Sequence, residues 1–357
     1  MSGIHHFVPV VHRGDAVGRH TLRLRDAARA RGFSSSIYVD TMEPDTADET
    51  LPVADYVTQA QRGDVLVYQF ATASYMAPWL AARPETLVVN YHNITPPSLW
   101  AAWDNHVALG QVRAQRELTL LVPRASLALA DSVYNQGHLD EAGFVRTDVV
   151  PPSAALDPAL IGADRDASGR APLDGARWLS VGRVAPNKAI EDTIAALMVT
   201  RAHHDPEATL LVVGKPAAAS YDAALHRYVA DLGLSDAVTF AGHASDATVA
   251  AAYAAADVLV VTSEHEGFCV PVTEAMAIGL PVVAFAQGAL PEVLGNAGVM
   301  VDSKDPYVLA STVAALLADG PKRERLAQAG RDRLSALGLA QAADRFIELV
   351  QTVMVPS

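Results

Sequence analysis

The sequence predicts an α/β fold: two doubly wound domains, each a parallel sheet covered by helices, facing each other across a cleft. Two observations predict it. Short runs rich in β-branched residues alternate with longer Ala-rich stretches of helical period along nearly the whole chain, and the alternation breaks once near the middle before restarting. Length agrees, since 357 residues, 50% of them hydrophobic, suffice for two domains with sizeable cores.

In the first half the expected strands are Ile4 to Val11, Ser36 to Val39, Val65 to Tyr68, Leu87 to Tyr91, Leu127 to Ala130 and Val149 to Val150. Each is a compact apolar run followed by helical or loop sequence. From Pro151 to Ala176 the chain reads PPSAALDPALIGADRDASGRAPLDGA, rich in Pro, Gly and Asp with little periodicity, which marks a domain boundary. Residues 1–160 are therefore expected to form one domain and 161–337 a second. Beyond the boundary the strands restart as Trp178 to Gly182, Thr209 to Gly214, Val238 to Gly242, Asp257 to Ser263 and Pro281 to Phe285. Within 338–357, the stretch Gln341 to Val353 places Ala343, Phe346, Ile347 and Val350 at helical spacing; it is expected to pack against one of the domains, with the first as the candidate. Ligands of open parallel sheets sit beyond the carboxyl ends of the strands, which puts the expected site in the interdomain cleft.

Charge and cysteine content narrow the function. There are 27 Lys plus Arg against 40 Asp plus Glu, a net charge of −13, which repels nucleic acid and anionic lipid at long range. The single cysteine, Cys269, excludes an internal disulfide framework and a Cys-based zinc cluster and fits a reducing compartment. The first residues, MSGIHHFVPVVH, lack the basic region and apolar core of a signal peptide, and no run of about 18 apolar residues could span a bilayer, so a cytoplasmic protein is expected.

The densest chemical signal is SEHEGFCVPVTEAM, Ser263 to Met276, directly after the strand DVLVVTS. Pro271 suits a first helical turn and Gly279 a helix end, so the amides of Phe268, Cys269 and Val270 are expected at a helix N-terminus, a ready anion site. Glu266 before the loop and Glu274, expected in the helix's first turn, are carboxylates suited to accepting pairs of hydroxyl hydrogen bonds. A second signal is GRVAPNK, Gly182 to Lys188, at the end of the second domain's first strand. There an Arg183 fork and a Lys188 point charge can clamp a diphosphate and neutralise the charge it gains on leaving. Taken singly each feature has a bland reading, a solvated loop glutamate or an ordinary surface cation.

Together, GRVAPNK, EHEGFCVPVTEA and Gln287-Gly288-Ala289-Leu290-Pro291-Glu292-Val293 resemble the donor half of family 4 glycosyltransferases, over most of residues 178 to 337. The first domain resembles that family more loosely, in Gly14 to Gly18, YHNITPPSLW (Tyr91 to Trp100) and ADSVYNQGHLDEAGF (Ala130 to Phe144), which look like acceptor-side segments of a bacterial branch. The resemblance implies the GT-B fold of two Rossmann-like domains and a retaining, metal-independent transfer of a hexose from a nucleotide-diphosphate sugar to a hydroxyl acceptor. It implies no cofactor. By position, Arg183 and Lys188 would hold the pyrophosphate with the amides after Gly267, at Phe268, Cys269 and Val270. Glu274 would take the ribose diol, Glu266 the hydroxyls of the transferred sugar, and His92 would sit at the reacting sugar. The backbone near His243 would meet the base, and Gly14 with Asp15 would close over the phosphates. Cys269 occupies a slot where the family often has Gly.

Other readings remain open at this stage. A non-catalytic sugar-nucleotide binder would use the same fold; a glycosidase would use Glu266 and Glu274 as its carboxylate pair but has no use for a pyrophosphate clamp. A nicotinamide dehydrogenase is disfavoured because no Gly-x-Gly-x-x-Gly follows the first strand. The triplet Asp164-Arg165-Asp166 follows no strand and is not read as a metal site. Arg19, Arg23, Arg25, Arg29 and Arg31 fall on the expected first helix with only Asp26 opposing them, but docking to a membrane is not favoured, because that helix must bury its Leu22 and Ala28 side.

Overall fold

The computed structural model describes residues 3–153, 155–156 and 175–354. The interior of the boundary segment, with Asp164-Arg165-Asp166, lies outside them. The chain divides into two compact units, one made of residues 1–97, 106–154 and 338–357 and the other of 98–105 and 155–337.

The first unit holds a seven-stranded parallel sheet of β1 (Ile4–Val10), β2 (Ile37–Thr41), β3 (Thr50–Pro52), β4 (Val65–Phe70), β5 (Thr86–Tyr91), β6 (Ala125–Ala130) and β7 (Thr147–Val149), in the order β3-β2-β1-β4-β5-β6-β7. β3 is a short edge strand that its sequence, three residues ending in proline, does not announce. The order reverses direction between β1 and β4, which defines a topological switch point. β4, VLVYQF, is buried at every position, as expected of a central strand covered on both faces. Asp15 starts the first helix, Ala16–Ala30: its carboxylate accepts the Gly18 amide at 2.6 Å. Gly18 is required at that place, because a Cβ there would lie 2.0 Å from the His12 carbonyl oxygen.

The second unit holds β8 (Arg177–Val181), β9 (Thr209–Val213), β10 (Val238–Gly242), β11 (Val258–Val261), β12 (Val282–Phe285) and β13 (Val299–Val301), all parallel, in the order β10-β9-β8-β11-β12-β13. Its switch point lies between β8 and β11. Both sheets thus repeat one winding scheme.

The helix Ala342–Gln351 belongs to the first unit. Ala342, Phe346, Ile347 and Val350 are fully buried among Ile4, Leu24, Ala28, Val65 and Val88. Ion pairs of Arg31 with Asp344 and Glu348, at 2.9 and 3.1 Å, fix its outer side. The arginines of the first helix are therefore not a free basic face. Arg25 is buried against Asp26 and Glu49, Arg29 donates to the Ser35 carbonyl, and Arg31 is paired as above; apart from Asp26, the opposing charges come from other segments, so they were not visible as helix neighbours. No helix among the described residues is long and apolar enough to cross a membrane.

Phe346→Ala empties a fully buried ring site that joins the helix Ala342–Gln351 to the first sheet. The expected loss is about 3–5 kcal/mol of stability in the first unit, read as a lower urea midpoint of its unfolding transition.

Candidate functional site

The chemistry of the second unit gathers at the switch point of its sheet. Gly182 to Lys188 leaves the carboxyl end of β8, and Ser263 to Cys269 leaves the loop after β11. Hydrogen bonds tie the two loops: Asn187 donates its side-chain amide to the His265 carbonyl at 3.0 Å, and the Glu264 amide donates to the Asn187 carbonyl at 2.8 Å. The Thr262 hydroxyl donates to the Ala189 carbonyl at 2.8 Å.

Between these loops Lys188 Nζ lies 2.5 Å from Glu266 Oε1, and the Ser263 hydroxyl donates to that same oxygen at 2.7 Å. Glu266 is 7% exposed, so this pair has little water to screen it. Burial alone would lower the Lys188 ammonium, but the Glu266 carboxylate outweighs it and the net shift is upward, which keeps the cation charged. Arg183 adds its charge to the same neighbourhood; it is exposed, with no ion-pair partner among the described residues. Lys188 is thus a fixed cation and Arg183 an available one.

Phe268, Cys269 and Val270 are buried at the start of the helix Val270–Ala277, whose first amides have no acceptor within the helix. Cys269 caps it in the left-handed region, φ 74°, where a side chain is strained, which explains why glycine suits this slot. Burial first, and the Glu266 charge next, push the Cys269 thiol up, so it is a neutral packing group. The Gln287 to Val293 motif serves Glu266 directly. The Ala289 amide donates to the Glu266 carbonyl at 3.0 Å, and a Cβ on Gly288, φ 60°, would lie 2.6 Å from that oxygen.

Glu274 is the fifth residue of the helix rather than part of its first turn, because the helix begins at Val270. It is buried, and its oxygens accept from the Leu156 amide at 2.9 Å and the Tyr253 hydroxyl at 2.8 Å. Neither partner is suggested by the sequence. His243 is exposed directly after β10.

In the first unit His92 follows β5, and its side chain is 2% exposed. Its Nδ1 lies 3.0 and 3.1 Å from the two oxygens of Asp131, and its Nε2 lies 2.7 Å from the Gln69 carboxamide. Asp131 and Gln69 were not singled out from the sequence. A signal existed: Tyr91 pairs with Ala130 across β5 and β6, so His92 and Asp131 leave adjacent parallel strands in register. Gly14 is exposed, and the Asp15 carboxylate caps its helix. Behind His92, burial holds His20 well below the usual imidazole range and lowers His6 to about 3. His12, Glu43 and Asp45 bring possible ligand atoms within 4.8 Å of one another, but nothing in their chemistry distinguishes them from other exposed acidic groups.

Two parallel α/β units with these windings are the GT-B fold. Residues 164–333, most of the second unit, match the family described as glycosyl transferases group 1. Among relatives, the chain is 33% identical over 242 residues to the D-inositol 3-phosphate glycosyltransferase of Frankia alni, covering 64% of this chain and 59% of that one. It is 39% identical over 159 residues to the protein of that name from Salinispora arenicola, covering 42% and 35%. The chain thus spans about half the length of the curated relatives it matches. Its fold is similar to that of Anabaena HepE, solved with UDP and glucose, at a TM-score of 0.78 and 20% identity over 99% of this chain and 100% of that one. It is also similar to sucrose-phosphate synthase from Thermosynechococcus elongatus, at 0.77 and 21% over 99% of each.

Two outcomes are expected. Gly288→Ala forces backbone strain and a clash onto Glu266, which should cost about 1–3 kcal/mol and appear as a lower melting temperature of the second unit. In the first unit His6 and His20 are held neutral, with folded values below the unfolded value of about 6.5. Their contribution is complete above about pH 6.5 and is lost as pH falls. His6→Asn should therefore flatten the decline of stability between pH 6.5 and about 3, measured by urea unfolding across that range.

Proposed function

We propose that this chain is a glycosyltransferase that moves a hexose from a nucleotide-diphosphate sugar to a hydroxyl acceptor, with retention of configuration and without a metal ion. One observation carries the reading: a part-buried Lys188 held charged by Glu266 and an exposed Arg183, without an ion-pair partner among the described residues, sit at the switch point beside a helix N-terminus, in a chain whose net charge is −13. Positive charge concentrated there suits a pyrophosphate. A leaving nucleoside diphosphate gains negative charge as the glycosidic bond breaks, so these groups act most strongly in the transition state.

In this reading Glu266, aligned by Lys188, Ser263 and the Gly288 turn, meets hydroxyls of the transferred sugar. Glu274 takes the ribose diol, with its Leu156 and Tyr253 partners setting the carboxylate's orientation. The amides of Phe268, Cys269 and Val270 assist at the phosphates, the backbone near His243 meets the base, Gly14 and Asp15 approach the phosphates, and His92 acts at the reacting sugar. The leaving phosphate accepts the acceptor's proton. The acceptor is a sugar, a lipid-linked sugar or a small molecule bearing a hydroxyl, in a bacterial polysaccharide, glycolipid or secondary-metabolite route. The neighbours solved with UDP and glucose or with UDP-glucose make UDP-glucose the first donor to examine.

Thermal unfolding with UDP, GDP, ADP and dTDP tests the clamp. At about 100 times its dissociation constant, one of these should stabilise the protein by about 2.7 kcal/mol, and Arg183→Ala with Lys188→Ala should abolish the shift. The same protein should turn over its donor undiminished in EDTA. No shift with any nucleotide, from a folded protein, would overturn the clamp and favour a fold retained for another purpose.

A further inference from the structure

The polar side chains packed behind His92 favour one arrangement of protons over its reverse. One donor there cannot be reversed: the main-chain N–H of Ser153 donates to His20 Nδ1 at 2.9 Å. His20 is fully buried and held neutral, so with a lone pair required on Nδ1 its proton is on Nε2. One arm of the Asn90 carboxamide lies 3.2 Å from that Nε2. The two arms of a carboxamide have the same outline, and the hydrogen-bond partners decide which is which. An N–H needs an acceptor, so the arm facing His20 is the Asn90 carbonyl.

The rest follows in sequence. The same Asn90 arm lies 2.8 Å from one arm of Gln69, which must then be the Gln69 NH2. That NH2 is 2.7 Å from His92 Nε2 and donates into its lone pair. The other Gln69 arm, its carbonyl, accepts from His6 Nδ1 at 3.0 Å. His92 therefore carries its proton on Nδ1, where both Asp131 oxygens stand 3.0 and 3.1 Å away. Either orientation of Asn90 leaves one of its arms without a partner among the described residues. This one brings the Asn90 carbonyl to 3.3 Å from the His92 Nε2 lone pair, a contact that is no hydrogen bond. The reverse sets donor against donor at His20 and, by placing the Gln69 carbonyl at His92 Nε2, again between His92 and Asn90.

We infer that Asp131 is a positioning residue that, with Gln69, fixes His92 as the tautomer protonated on Nδ1, in a hydrogen-bond chain whose sense is set by the main-chain N–H of Ser153. The inference bears on transfer only through the role of His92 in the function proposed above. Its consequence there is specific. With Nε2 closed by Gln69 and Nδ1–H held by Asp131, the imidazole has no nitrogen available as a general base, which leaves the acceptor's proton to the departing phosphate.

The direct test is the long-range proton–nitrogen spectrum of the full chain carrying nitrogen-15 in its histidine rings, with His92 assigned by its loss in His92→Gln. His92 is expected protonated on Nδ1 with an accepting Nε2, and His20 the reverse. His92 protonated on Nε2, or on both nitrogens, would overturn the assignment. Asp131→Leu should make His92 populate both tautomers and lower kcat on UDP-glucose about tenfold to a hundredfold with KM for the donor unchanged, while Asp131→Asn, whose carbonyl still accepts, should restore the tautomer. An Asp131→Leu protein with an unchanged His92 spectrum removes the role given to Asp131. If the parent protein turns over no UDP-sugar, the glycosyltransferase reading fails by itself, and the spectra still decide the tautomer.

Discussion

The ion pair of Lys188 with Glu266 is the constraint on which the second unit's site depends. A lysine with its side chain largely withdrawn from water is costly unless a carboxylate answers it, and a carboxylate 7% exposed is costly unless it is matched in turn. Each justifies the other. The surrounding loops exist to keep them at hydrogen-bond distance: Asn187 and His265 join the two loops, Ser263 adds a donor to the same oxygen, and the Gly288 turn passes close enough to hold the Glu266 backbone. Removing any of these loosens a charge that the fold has already desolvated, which is why a glycine and a hydroxyl that hold Glu266 belong to the site.

The first unit uses a different device. Its strands contribute His6, Gln69 and Asn90 to a polar layer that His20 of the first helix and His92 after β5 complete, with the Asp131 carboxylate at one end. Neutral groups in such a layer avoid the desolvation penalty of ions, yet each must still find a partner of the right sense. A single irreversible donor therefore propagates through the whole set. The second sheet's site is governed by charge, the first sheet's by hydrogen-bond direction.

Much of this was legible in the sequence because the signals are local. Alternation of strand and helix periods gives both sheets, and the loops that follow β8 and β11 contain Arg183, Lys188 and Glu266 as contiguous motifs. What was not legible is pairing across long separations. Nothing near Glu274 announces that Leu156 and Tyr253 will hold it, since the partners stand 118 and 21 residues away. The arginines of the first helix look unopposed because Glu49, Asp344 and Glu348 reach them only after folding. Asp131 was hidden for a milder reason: its relation to His92 is a matter of strand register, and register is not written in either segment alone.

The placement of the helix Ala342–Gln351 has a consequence for biosynthesis. The second unit is nearly continuous in sequence, whereas the first closes its core only with Phe346, Ile347 and Val350, more than 180 residues after Val150, on which they pack. During synthesis from the N-terminus, the unit translated first must wait with its apolar surface around Ile4, Leu24 and Val88 uncovered until nearly all of the chain described here has emerged. The unit translated second can fold earlier. Order of appearance and order of completion are reversed, and the interval between them is when the nascent chain has most need of a chaperone.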